Sequence, residues 1–321
     1  MKRLVLIDGN AILHRAYHAL PPLTSPDGFL VNAVYGFTAM MIKIAHDLSP
    51  TQIVVAFDRP APTFRKKLFK AYQAKRPKMD EELAGQIDTV HRVIEALGIP
   101  ICEVDGYEAD DVIGTLAGRR KQEGMDQVII VTGDKDLLQL VDEHTWVYMP
   151  TKGLSEAKLY DAKDVKDKLG VNPQNVTDFK ALAGDNSDNY PGVPGIGPKT
   201  AAELVAQFGS IETLFRAINR KDKKITLFSA GTLQKLKAGK KSAVLSKDLA
   251  TIRCDVPVEV VFPEKEVFSL DTPEARKILA ELNFQSLIKR LDAKNSQPEK
   301  KKKKKETEQE NKENSQQQQL F

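Results

Sequence analysis

The sequence predicts an α/β protein with a mostly parallel central sheet and helices on both faces, followed by a helical region and a disordered C-terminal tail. Three observations lead there. Over the first 150 or so residues, short apolar runs alternate with segments of helical periodicity, the pattern of successive βα units. Three of those runs end in acid, two directly and the third after Thr132-Gly133. Beyond Ala293 the chain is Lys, Glu, Gln and Asn with almost no apolar residue until its last two positions, a composition that cannot support a core.

Taken in order, Leu4-Val5-Leu6-Ile7 reads as a buried strand ending at Asp8. A helix is predicted from Ala33 to Asp47, then a second strand, Ile53-Val54-Val55-Ala56-Phe57, before Asp58. Another helix is predicted from Glu81 to Leu97, and a strand Val128-Ile129-Ile130-Val131 before Thr132-Gly133-Asp134. The weaker run Trp146-Val147-Tyr148-Met149 suggests one further strand. In open α/β sheets ligands bind beyond the carboxyl ends of the strands, so Asp8, Asp58 and Asp134 should meet at one rim. The expected division is an α/β metal-binding domain over residues 1–160, a helical region over 161–292 and a tail over 293–321. Within the helical region a Gly/Pro cluster, Pro191 to Pro198, interrupts the pattern ahead of a helix from Ala201 to Phe208.

With 321 residues, 41% of them hydrophobic, the chain can bury a substantial core. It has no apolar stretch of membrane-spanning length, and the opening run is too short for a signal peptide, so the expected location is the cytoplasm. Cys102 and Cys254 cannot form a disulfide framework or a zinc cage and read as buried free thiols. The net charge of +4 is unevenly placed: eight Lys against five Glu follow Ala293, leaving the body near neutrality. Even there, Phe64 to Met79 holds seven bases and no acid, and residues 216–241 hold nine bases against Asp222. An acidic centre between basic surfaces suits a phosphate polymer steered to a metal site.

Nine acids fall in five clusters: Asp8; Asp58; Glu108, Asp110 and Asp111; Asp134 and Asp136; Asp185 and Asp188. Singly, each has an ordinary explanation. Glu108 and Asp111 fit the first turn of a helix, and Asp185 and Asp188 fit a turn. Gathered together, like charges must take up protons or bind cations. All-carboxylate ligands without His or Cys select hard ions, Mg²⁺ or Mn²⁺, and nine acids exceed one site, so two or more ions are expected. Two such ions about 4 Å apart activate a water and stabilise the departing oxygen of a phosphodiester. His14 and His18, four apart on a helix, are not required as ligands.

The basic run Arg65, Lys66, Lys67, Lys70, Lys75, Arg76 and Lys78, with Phe64, Phe69 and Tyr72 interleaved, is a candidate surface for single-stranded nucleic acid. In Gly192-Val193-Pro194-Gly195-Ile196-Gly197-Pro198-Lys199-Thr200-Ala201 the glycines let backbone amides approach a phosphate at a helix start. Gly192, Gly195, Gly197, Lys199 and Thr200 are the candidate contacts. Arg216, Arg220, Lys221, Lys223 and Lys224 can extend that track without reading bases.

The motifs Leu-Val-Leu-Ile-Asp-Gly-Asn at 4–10, Ala-Phe-Asp at 56–58, Glu-Ala-Asp-Asp at 108–111, Thr-Gly-Asp-Lys-Asp at 132–136 and Gly-Asp-Asn-Ser-Asp-Asn at 184–189 resemble those of the 5′ nuclease, or flap endonuclease-like, family. The likeness is greatest to the 5′→3′ exonuclease domain of bacterial DNA polymerases I and covers residues 1–290. It implies that Asp8, Asp58, Glu108, Asp110 and Asp111 surround one metal and Asp134, Asp136, Asp185 and Asp188 a second. It also implies a helical arch near residues 64–82 over the site and a helix-hairpin-helix that grips duplex backbone. A potassium ion would be held there by carbonyls of Leu182, Ala183, Pro191, Val193 and Ile196. The family's arch reads Tyr-Lys-x-x-Arg, whereas this chain has Tyr72-Gln73-Ala74-Lys75-Arg76. Tyr72 and Arg76 keep stacking and phosphate roles, and any assistance from the missing lysine falls to Lys75. Arg15 resembles a family position near the scissile phosphate.

At the end of the chain Gln317, Leu320 and Phe321 resemble the bacterial sliding-clamp motif Gln-Leu-x-Leu-Phe without its second-position leucine. The expected protein is a monomeric, stand-alone or excised 5′ nuclease acting on DNA with 5′ ends, flaps or nicks and on RNA primers, with the clamp as a partner. The competing reading, a noncatalytic structure-specific DNA-binding protein, predicts lost ligand acids, and all nine are present. An aspartyl-nucleophile phosphatase would want Asp-x-Asp after the first strand, where Asp8-Gly9-Asn10 stands.

Overall fold

The computed structural model describes residues 1–153, 156–262 and 269–295. Six strands form one sheet: β1 (Arg3–Asp8), β2 (Gln52–Ala56), β3 (Ile101–Cys102), β4 (Gln127–Val131), β5 (Thr145–Lys152) and β6 (Glu156–Tyr160). Their order is β3-β2-β1-β4-β5-β6, parallel throughout except for β6, which pairs antiparallel with β5. β1, β2 and β4 are apolar on both faces because helices cover both, as a parallel sheet demands. Chain order reverses between β1 and β4, so the crevice at their carboxyl ends is the topological switch point. β1 stops at Asp8, β2 two residues before Asp58, and β4 three before Asp134.

The helices are α1 (Gly9–Ala19), α2 (Asn32–Leu48), α3 (Phe64–Leu68), α4 (Glu81–Ala84), α5 (Ile87–Ala96), α6 (Ala109–Gly118), α7 (Ala162–Leu169), α8 (Val176–Ala183), α9 (Pro198–Phe208), α10 (Ile211–Arg220), α11 (Ala230–Ala250), α12 (Pro273–Glu281) and α13 (Gln285–Asn295). On one face of the sheet Val5, Ile7, Ile53 and Val55 pack with α1, α2, α5 and the last two helices. On the other, Leu4, Leu6, Val54 and Ile130 share one apolar core with α6 and with α7 to α11, so the later helices build on the sheet.

The helix expected over Glu81–Leu97 is broken at Gly85 and Gln86. Buried Gln86 turns inward there, its Oε1 accepting from the Ala33 amide at 2.8 Å and its Nε2 donating to Asn32 Oδ1 at 3.0 Å, which caps the start of α2. The short strand β3 and the antiparallel β6 were not among the expected elements. Cys102 is buried as expected, but Cys254 is exposed. No helix among the described residues is long and apolar enough to cross a membrane. The expectations for residues 296–321, clamp motif included, lie outside the described residues.

Candidate metal centre

The rim carries a cavity of about 950 Å³ lined by Asp8, Asp58, Glu108, Asp110, Asp134, Asp136 and Asp188, among others. Local bonds aim Asp8 and Asp58. Asp8 caps α1, with Oδ1 accepting from the Ala11 amide at 2.9 Å and Oδ2 from the Thr132 hydroxyl at 2.7 Å. That hydroxyl also accepts from the Asp134 amide at 2.9 Å, so fully buried Thr132 ties the ends of β1 and β4 together. Asn10 Oδ1 receives the Asp58 amide at 2.9 Å, and Asp58 Oδ1 takes the Ala109 amide at 2.7 Å, fixing the start of α6 against the end of β2. Thr132 and Asn10 lie inside the quoted motifs but were not singled out from sequence; their place between acids is the signal.

Crowding shows in the ionisation. Burial pushes the Asp8 and Glu108 carboxyls up to about 7, with Asp58 adding to each. Asp110 is raised well above the usual range by burial and then by Asp134, Asp8, Asp58 and Glu108. Burial also raises Asp58, Asp134 and Asp188. Neutralising such a group without protons takes cations, and an all-oxygen donor set fits hard divalent ions.

A second group forms where Asp136 meets the turn after α8. Carboxylate oxygens of Asp136, Asp185 and Asp188 lie within 4.8 Å of one another. Buried Lys180 of α8, unremarked from sequence, donates to both Asp136 and Asp185. Against the effect of burial, its ammonium holds the Asp185 carboxyl below the usual range.

Several expectations are corrected. Asp111 is fully buried and turned from the cavity: it receives Arg65 Nη1 and Nη2 at 2.7 and 2.8 Å and the amides of Glu108 and Arg253. Its carboxylate is spent on a buried ion pair and a capping box, leaving it unsuited to metal. Arg65, expected on DNA, is 3% exposed for the same reason. Tyr72, expected to stack on a base, is 2% exposed, its hydroxyl donating to Glu108 at 3.1 Å and to Asp188 at 3.4 Å. Arg15 points away, to the carbonyls of Pro150 and Gly153 at the end of β5. His14 and His18, set aside from sequence, line the cavity from α1.

The expected arch is one turn of helix, α3, followed by turns that fold back over the acids. Gln73 adopts a left-handed backbone (φ 53°), its amide donating to the Asp188 carbonyl at 2.9 Å and its side chain to Asp188 Oδ1 at 3.1 Å. Asn189 answers with a bond to the Ala71 carbonyl at 2.7 Å. Lys66, Arg76 and Lys78 line the cavity and are exposed. Lys70 and Lys75 are exposed but are not among the lining residues.

The hairpin between α8 and α9 is closed by Val193 N to Leu182 O at 2.9 Å and Ile196 N to Val193 O at 2.9 Å. A Cβ at Gly192 (φ 59°) would fall 2.2 Å from the Gly184 nitrogen, so only glycine permits this crossing. Gly192 is buried, its amide donating to Ser246 Oγ and its carbonyl accepting from the Ser242 hydroxyl, which removes it from the expected phosphate contacts. Gly195, Gly197 and Lys199 are exposed and Thr200 half-buried, while Arg216, Arg220, Lys221, Lys223 and Lys224 are all exposed. Of the carbonyls considered for potassium, those of Leu182 and Val193 already accept backbone bonds.

An acid-rimmed doubly wound sheet with a helical hairpin beside it is an arrangement that suits a metal-dependent nuclease. Residues 3–170 match the 5′-3′ exonuclease N-terminal resolvase-like domain and residues 171–276 the 5′-3′ exonuclease C-terminal SAM fold, and the chain belongs to this family. It is 40% identical over 300 residues to DNA polymerase I of Bacillus caldotenax and 39% identical over 290 residues to that of Mycobacterium bovis, covering 93% and 90% of this chain. It spans about a third of those relatives, 33% and 31% of their lengths. Among solved structures, the fold is shared with a bacteriophage T5 flap endonuclease in a complex with DNA and metal ions (TM-score 0.65, 17% identity, 91% of this chain and 97% of the other). It is shared too with the catalytic core of Rad2 bound to DNA substrate (TM-score 0.58, 18% identity, 91% and 92%).

Proposed function

We propose that the protein is a divalent-metal-dependent 5′→3′ exonuclease and 5′ flap endonuclease that hydrolyses phosphodiesters of DNA, and of RNA primers, in replication and repair. The observation that carries this reading is the convergence of Asp8, Asp58, Glu108, Asp110 and Asp134 on one cavity at the switch point, under cover of a basic segment. Asp8, Asp58, Glu108, Asp110 and Asp134 would hold one Mg²⁺ or Mn²⁺, and Asp136, Asp185 and Asp188 a second; Asp134, expected with the second ion, is moved to the first because its charge bears on Asp8 and Asp110. Bound there, the ions supply activation of water and stabilisation of the departing oxygen. Lys66, Arg76 and Lys78 draw phosphate across the cavity mouth, and exposed Gly195, Gly197 and Lys199 receive duplex backbone. A potassium ion at the hairpin, attachment to a sliding clamp through Gln317, Leu320 and Phe321, a monomeric state and a cytoplasmic location complete the reading.

The test is incubation with a 5′-labelled flap and a nicked duplex, with Mg²⁺ or with chelator. Cleavage should need the metal and should vanish in the Asp8→Ala, Asp134→Ala double variant. Undiminished cleavage by that variant overturns the reading.

A further inference from the structure

Lys180 stands where the second group of acids converges. It is 8% exposed. Its ammonium donates to Asp136 and, at 2.7 Å, to Asp185, two of the three residues whose carboxylate oxygens lie within 4.8 Å of one another. A buried ammonium is costly unless paired, and this one is paired by carboxylates that an ion would need. The contrast with the first group is direct. Asp8 and Asp58 are held by amides of Ala11 and Ala109 and by the Thr132 hydroxyl, neutral donors that leave the negative charge for an incoming ion. An ammonium and a divalent ion a few ångströms apart in a half-buried site repel strongly.

We propose that Lys180 is the resident counter-cation of the Asp136, Asp185 and Asp188 group, which a second divalent ion must displace, so that the second ion is held far more weakly than the first. The idea rests on the two-ion nuclease reading. Lys180 is a positioning residue in this scheme, and its flexible four-carbon stem lets the ammonium swing aside without moving α8. With Arg76 Nη2 3.9 Å from Asp188, it offsets part of the charge of the metal-free group, and occupancy of the second site becomes dependent on metal concentration.

The test is titration of the full chain with Mn²⁺ alone, without DNA, following free Mn²⁺ by electron paramagnetic resonance. The wild type should show one tight class of site and a second at least tenfold weaker. Lys180→Met should tighten the second class at least tenfold, because a unit charge about 3 Å away is worth more than a decade even when screened as near a protein surface. The first class, which Lys180 reaches only through its charge on Asp134, should tighten much less than the second. Should the Met variant fail to fold without metal, Lys180→Gln removes the charge while keeping a donor to Asp185, and the same tightening is expected. A second class that is unchanged or weaker in the folded variant overturns the proposal. Failure of the nuclease reading looks different: the wild type then takes up no Mn²⁺ in either class, and the proposal falls with it.

Discussion

Replacing Arg65 by Met should destabilise the fold severely and leave DNA binding nearly intact. The guanidinium makes two bonds to Asp111 at 2.7 and 2.8 Å and one each to the carbonyls of Leu249 at 2.8 Å and Thr251 at 3.1 Å. It also sits 3.4 Å from Glu108. Removing one partner of a buried pair costs about 3–5 kcal/mol, and orphaning two carbonyls adds about 1 kcal/mol or more. The expected loss is about 4–6 kcal/mol, a large fraction of the roughly 5–15 kcal/mol that holds typical domains together. Urea unfolding in EDTA, followed by circular dichroism, measures it. The Arg65→Met, Asp111→Leu double variant should lose at least about 2 kcal/mol less than the sum of the single losses, since each single change strands the other charge. If Arg65→Met stays within about 1 kcal/mol of wild type while the log–log salt slope of DNA binding falls by about one, the buried pair is wrong and Arg65 is a phosphate contact.

In EDTA, stability should fall as pH rises from about 4 to about 7. The folded Asp8 and Glu108 carboxyls titrate near 7, against 3.8 and 4.5 ordinarily, so the unfolded chain ionises first and their contribution, full below about pH 4, is lost through neutrality. Asp8 alone accounts for as much as about 4 kcal/mol. Saturating Mg²⁺ should remove most of this fall at pH 7.5, and a flat melting-temperature profile in EDTA would contradict it. Lys66→Ala and Lys78→Ala, which change exposed cations at the cavity, should each weaken DNA binding at all sequences and lower the salt slope by about 0.7–0.9. Lys70→Ala and Lys75→Ala, outside the lining, should change the slope by less than half as much. Tyr72→Phe should cost about 1 kcal/mol in urea unfolding through its lost bonds to Glu108 and Asp188, with DNA affinity changed less than threefold.

The rim was legible because it is local. A buried parallel strand is a continuous apolar run, and the residue that ends it is at the rim wherever the strand lies in the sheet. Asp8, Asp58 and Asp134 could thus be gathered from sequence without knowing strand order. β3 was not legible, since two residues carry no period, yet it places the loop that delivers Glu108 beside Asp58. The broken helix at Gly85 was hidden because Gln86 is drawn inward by the orphan amides of α2, more than 50 positions earlier.

What sequence could not divide was the nine acids themselves, because a carboxylate's role depends on where its counter-charge comes from. Asp111 and Asp110 are chain neighbours with opposite fates. Asp111 faces Arg65, 46 positions away, and is neutralised inside the protein, whereas Asp110 faces Asp134, Asp8, Asp58 and Glu108, whose charges add to burial in raising its carboxyl. Asp136 and Asp185 stand between these extremes, sharing the one positive charge of Lys180 in a way that an ion can undo. The fold therefore grades its acids: one satisfied permanently, a pair satisfied in part by Lys180, and a rim group in which, among the described residues, only Glu108 has a guanidinium in ion-pair range, so that protons or metal must offset most of its charge. On the proposed two-ion reading, such a gradient would make the first ion a near necessity at neutral pH and the second a variable. It is set by Lys180, which the composition of the chain gave no reason to single out, and by Arg65, which the basic run had assigned to DNA.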